Sequence, residues 1–168
     1  MRDDLSEAIQ LDIDQQIEAA ASKYESVLTD PDAPIEAFIN LAFIYWESTD
    51  YGFNAAHHLS PEFIQRAAHR YRQILAEARG RFGDNPEISF WEKYFDYVSL
   101  GEPPFVDDCY TWLRQGNAPE AIYVHLFAEL RDPRHIPHLY SLLRQSENMP
   151  TTKNRYIAGV IQALLKRP

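Results

Sequence analysis

The chain reads as an all-α protein of about eight antiparallel helices, and three observations lead there. Apolar residues return every three or four positions, the period of a helix face. A polar or small residue followed by proline recurs where helices should start, the arrangement favoured in a first turn. No stretch shows period-two alternation between hairpin turns, so no strand is expected. The 168 residues suit a single domain, 1–168, large enough to bury a core without metal or disulfide help.

The elements follow in order. Leu5, Ile9, Ile13, Ile17, Ala20, Tyr24 and Leu28 form one stripe, so the first helix is expected over 4–29. Asp4, with Glu7 three residues on, resembles a capping box at its start. Ala33-Pro34-Ile35-Glu36 opens a helix over 34–48, and Ser60-Pro61-Glu62 opens one over 61–82. Asn85-Pro86-Glu87 begins a helix over 86–99, followed by one over 105–114. Ala118-Pro119-Glu120 and Asp132-Pro133-Arg134 start helices over 118–130 and 133–145, and the last covers 152–166. Gly83, Gly101 and Gly116 stand where helices should stop, as left-handed caps. The longest connection, 49–60, holds Gly52 and the His57-His58 pair.

Charge is distributed unevenly. The net charge is −9, yet residues 1–50 alone carry twelve acidic and two basic side chains. Residues 51–100 balance at six of each, and residues 101–168 carry seven acidic and eight basic. An acidic front keeps a protein soluble or steers a basic partner, and it argues against nucleic acid, which needs a basic footprint. The single Cys109 has no partner for an internal disulfide, which suits a reducing compartment. Met1-Arg2-Asp3-Asp4 opens polar sequence with no apolar stretch of a signal peptide, and no apolar run is long enough for a membrane span. A cytoplasmic protein without membrane contact is expected.

Ala20, Tyr24 and Val27, then Pro31, then Phe38, Leu41, Ala42 and Tyr45 fall in a pattern that resembles the junction between two tetratricopeptide (TPR) repeats. Ala67, Tyr71 and Ile74 repeat the first stripe; Trp91, Tyr94, Phe95 and Val98 repeat the second, with a large Phe95 at a small-residue position. The TPR resemblance covers about residues 14–100. The segment Leu130–Leu139, with Leu142-Leu143 and then Arg155–Leu165, is similar to a HEAT repeat of the phycobilin-lyase type, over about 130–165. It departs from that family in its longer Gln145–Lys153 connection and at Tyr156. Together the resemblances imply a right-handed α-α superhelix, a solenoid with a TPR-like part (1–100) and a HEAT-like part (101–168). They imply a scaffold and no lyase activity.

Such repeats bind partners on the face left open by stacking. If Phe38 and Leu41 point inward, helix 34–48 presents Glu36, Ile39, Phe43, Trp46 and Glu47. The same registration makes helix 86–99 present Ser89, Glu92, Asp96 and Ser99. The resulting face is acidic and aromatic, suited to lysine or arginine side chains of a basic or mixed-charge protein. The competing reading packs Phe43 and Trp46 as core under the 49–60 connection. In TPR domains that clamp a carboxylate tail, this face carries Lys and Asn; here Ile39 and Phe43 take two of those places. A second aromatic group, Trp91, Phe95, Tyr97, Phe105, Tyr110 and Trp112, forms another core or walls a pocket near Gly101–Phe105.

Catalytic signatures are lacking. There is no Gly-x-Ser-x-Gly, P-loop, Gly-x-Gly-x-x-Gly or His-Glu-x-x-His. Asp107 and Asp108 beside Cys109 discourage a reactive thiolate. His57, His58 and His69, the pair His135 and His138, and His125 with Glu129 one turn on form no recognised zinc spacing. Arg66, Arg70 and Arg72 should pair within their helix or with the acidic first helix. The expected function is therefore a non-catalytic protein-binding module without cofactor, such as a toxin-immunity protein. The alternatives are a chaperone for a secreted protein, or a small metal-dependent enzyme using His57, His58 and His69.

Overall fold

The computed structural model describes residues 2–166. Its regular structure is ten α-helices and one 3-10 turn, with no strand among the described residues. The helices are α1 (Arg2–Ile13), α2 (Ile17–Leu28), α3 (Ile35–Glu47), α4 (Tyr51–His57), α5 (Pro61–Phe82) and α6 (Pro86–Leu100). They continue as α7 (Val106–Gln115), α8 (Ala121–Leu130), the 3-10 turn Pro133–His135, α9 (Ile136–Asn148) and α10 (Thr152–Lys166). The protein is all-α. No helix among the described residues is long and apolar enough to cross a membrane.

Local chemistry accounts for most boundaries. At α5 the Ser60 side chain caps the Phe63 N–H, Pro61 occupies the first turn, Arg79 and Arg81 close the last, and Gly83 ends it at φ +64°. Asn85 caps Glu87 N–H at α6, and Gly101 and Gly116 end α6 and α7 at φ +67° and +82°. The expected left-handed caps are thus in place at Gly101 and Gly116, whereas Gly83, with ψ −146°, ends α5 in a different positive-φ conformation.

Two elements differ from expectation. The stripe over 4–29 is two helices, because Gln15 adopts φ +59° and breaks it between Asp14 and Gln16. Asp4 and Glu7 lie inside α1, where both grip Lys23 Nζ at 2.8 and 2.7 Å, so they are no capping box. The 49–60 connection contains α4, which Asp50 caps at Phe53 N–H and His58 ends at φ +52°.

The chain forms two compact units, one reaching to Gly83 and including Thr151–Lys153, the other Asp84–Pro150 with the chain from Asn154. In the first unit α3 packs against α2 and α5, and α1 against α2. Every residue from Ala37 to Trp46 is buried. A helix apolar all round belongs in the middle of a core, and each large side chain there contributes about 1.5–3 kcal/mol.

Polar side chains lock this core. Arg70 on α5 holds both Glu25 carboxylate oxygens (2.8 and 2.7 Å) and reaches Glu77 at 2.6 Å, while Tyr45 donates to Glu25 at 2.9 Å. Burial pushes the Glu25 carboxyl up, but the hydrogen bonds from Arg70 and Tyr45 outweigh it and hold it below the usual value. Arg81 donates to the carbonyls of Leu28 and Asp30, closing the α2 C-terminus.

In the second unit α8 packs against α7, α9 and the 3-10 turn. Its core is an aromatic cluster. Phe90 lies against Trp91, Tyr94 and Phe105, and the hydroxyls of Tyr94 and Tyr156 meet at 2.9 Å.

Candidate functional site

The residues expected on one acidic, aromatic face separate into different environments. On α3, Glu36 is exposed and Glu47 half-buried, but Ile39 and Phe43 are 0% exposed and Trp46 6%. The exposure expected for Ile39, Phe43 and Trp46 is therefore corrected: α3 has no open face. Phe43 and Trp46 pack edge to face at 5.8 Å within that core. Burial, and then the charge of Asp50, push the Glu47 carboxyl up to about 7. Glu92 and Asp96 on α6 are half-buried and belong to the second unit.

Asp96 is where sequence and structure meet. Gly101 in a left-handed conformation ends α6. The exposed segment Glu102-Pro103-Pro104 then leads to Phe105, which precedes α7. This connection and the two helices form an open cavity of about 500 Å³ lined by Lys93 and Asp96 of α6, Glu102–Phe105, and Val106–Asp108 of α7. It lies where the sequence suggests a pocket, near Gly101–Phe105. Four carboxylates (Asp96, Glu102, Asp107, Asp108) face it with one cation, Lys93. That cation is engaged, with Lys93 Nζ at 2.6 Å from Asp108 Oδ2.

The walls are fixed from behind. The Phe105 ring is buried among Phe90 (5.7 Å), Tyr97 (6.3 Å), Trp112 (6.3 Å) and His125 (4.1 Å). Prolines 103 and 104 stiffen the rim because their φ angles are locked. Asp107 and Asp108 stand in the first turn of α7, where the helix dipole favours negative charge. A cavity so lined selects a cationic group and repels phosphate or carboxylate. In the sequence Asp107 and Asp108 stand out only as neighbours of Cys109, and Glu102 only as part of the Gly101–Phe105 loop; the turn at Gly101 brings them opposite Lys93 and Asp96 of α6.

The other chemical groups sit elsewhere. Cys109 is buried, and burial first, then Asp108, push its thiol up to about 12, so it is no nucleophile near neutrality. His57 lies against Phe53 at 4.3 Å, His58 is the left-handed cap of α4, and His69 is exposed on α5. His135 and His138 flank Tyr123, His138 stacked on it at 3.7 Å. Glu129 accepts from Tyr97 Oη at 2.6 Å. Among the described residues no group of three or more His, Cys, Asp or Glu side chains is placed to hold a metal ion.

No known protein family, curated protein or solved structure matches the chain.

Proposed function

We propose that this chain is a non-catalytic protein-binding module whose acidic cavity receives a lysine or arginine side chain of a basic or mixed-charge protein. One observation carries the reading: four carboxylates surround a volume of about 500 Å³ in which Lys93 is already paired. The acidic excess of residues 1–50 supports it by steering a basic partner toward the protein. The toxin-immunity setting expected from the sequence belongs to the same reading. So does the repeat character: the TPR-like stripe residues Ala20, Tyr24, Val27, Phe38, Leu41, Ala42 and Tyr45 are all buried, as stacked repeats require. The HEAT-like stretch contributes Leu139, Ile157, Ile161 and Leu164 to burial in the same way.

The test is a nuclear magnetic resonance titration of the full chain with a hexa-arginine peptide and, as control, hexa-glutamate. The reading expects hexa-arginine shifts concentrated between Lys93 and Asp108 and lost in the Asp96→Asn, Glu102→Gln double variant. Shifts confined to α1 and α2, or unchanged in the double variant, overturn it.

A further inference from the structure

Behind the cavity lies a histidine that the binding reading does not use. His125 is 1% exposed on the inner face of α8. Its ring lies parallel to Phe105, centroids 4.1 Å apart and planes 14° from parallel, with Tyr97 edge-on at 5.0 Å and Tyr94 edge-on at 6.3 Å. Its Nε2 has no hydrogen-bond partner among the described residues.

A neutral imidazole tolerates this cage, because one unpaired ring nitrogen is a modest cost. An imidazolium does not, since it adds a second N–H donor and a full charge to an apolar enclosure. The groups facing it offer little relief. From α6 come the phenols of Tyr94 and Tyr97, and from the connection the hydrocarbon ring of Phe105. From α8 comes Glu129, whose Oε1 accepts from Tyr97 Oη at 2.6 Å. The Tyr94 hydroxyl is paired with that of Tyr156.

One wall of the cage, Phe105, follows an exposed segment. Gly101–Pro104 are exposed, and Phe105 stands at the N-cap of α7 with no side-chain cap hydrogen bond. Its ring, seated on His125, is one tie between the start of α7 and the core, beside the Lys93–Asp108 pair and the buried Cys109. We propose that the His125–Phe105 stack is a pH-sensitive latch, closed over the neutral imidazole and released when the imidazolium forms in mildly acidic solution. Release frees Phe105 and the first turn of α7.

The direction follows from linkage. Burial holds His125 below its ordinary value of 6.5, against the pull of Glu129. The open form, with the ring hydrated, therefore takes the proton first. The closed form is fully favoured above about pH 6.5 and loses ground as pH falls toward the depressed value. The released segment also carries Glu102, Asp107 and Asp108. Loss of cation binding on acidification would rest on the cavity reading, but the latch does not.

The test uses the ligand-free full chain. Hydrogen-exchange protection is measured for amides of α7, including Cys109 N–H, which donates to the Phe105 carbonyl, alongside the His125 imidazole titration. Between about pH 7.5 and 5.5 protection should fall about tenfold in α7 and stay constant in α5. In His125→Phe, which keeps an aromatic ring without a titrating nitrogen, α7 protection should not change with pH. An equal loss in that variant, or constant α7 protection in the natural protein, overturns the latch. Should His125→Phe fail to fold, the natural protein decides alone: His125 titrating at or above 6.5 refutes the proposal. Because no peptide is present, the result stands apart from the fate of the cavity reading.

Discussion

The carboxylate of Asp12 accepts hydrogen bonds from both the backbone N–H and the hydroxyl of Thr152, at 2.7 and 2.6 Å, across 140 residues of chain. Asp12 is fully buried, and Tyr24 donates to its other oxygen at 3.4 Å while receiving a bond from Asn40 at 3.2 Å. It thus serves as an N-terminal cap for α10 supplied by α1, a service usually rendered by a neighbouring residue. Asp12→Ala leaves several buried donors unpaired and should cost about 2–4 kcal/mol in urea denaturation. Asp12→Asn keeps one acceptor oxygen and should cost roughly half as much. Equal stability of the alanine variant and the natural protein would disprove this role.

Glu47 should make the protein less stable as pH rises. Its folded value is raised to about 7 against an ordinary 4.5. The folded state therefore holds this proton more tightly, and the benefit is complete below about pH 4.5 and lost through about pH 7. Glu47→Gln removes the penalty. It should stabilise the protein by about 1–3 kcal/mol at about pH 8 and change little at about pH 4. Thermal unfolding at the two pH values checks this, and a gain that does not depend on pH would refute it.

Gln15 carries a conformational cost at the break between α1 and α2, since its φ of +59° suits glycine better than a residue with a Cβ. Gln15→Gly should be neutral or stabilising by up to about 1 kcal/mol, and Gln15→Val, β-branched, should destabilise by more than about 1 kcal/mol. Chemical denaturation of the two variants gives the comparison.

The same residue shows why part of the fold escapes a sequence reading. Ser60-Pro61, Asn85-Pro86, Gly101 and Gly116 announce helix ends because their side chains, or lack of them, dictate the local backbone. Gln15 has no such preference, so one continuous stripe conceals two helices. In α4 the Asp50 cap is visible, but Tyr51–His57 spans too few turns to show a period.

A different cause hides the surroundings of α3. Apolar residues on all its sides, among them Ile39, Phe43 and Trp46, are the sign of a central helix. Registration to a groove-lining repeat helix assigns them outward instead. At the cavity, Asp96 and the Gly101–Phe105 connection are legible one at a time. Their convergence with Asp107 and Asp108 depends on a turn whose direction no local pattern records. His125 and Glu129 stand one turn apart in the sequence without completing a zinc spacing, and in the fold Tyr97 takes the carboxylate while Phe105 covers the imidazole.

The all-round burial of α3 has a cost away from the native state. Residues 37–46, AFINLAFIYW, contain no charge and no proline, and six of the ten are aromatic or β-branched. A segment of that composition, once free of α2 and α5, is suited to pair with copies of itself as extended strands. Glu36 and Glu47 flank the segment directly, the placement that charged gatekeeper residues take beside an apolar stretch.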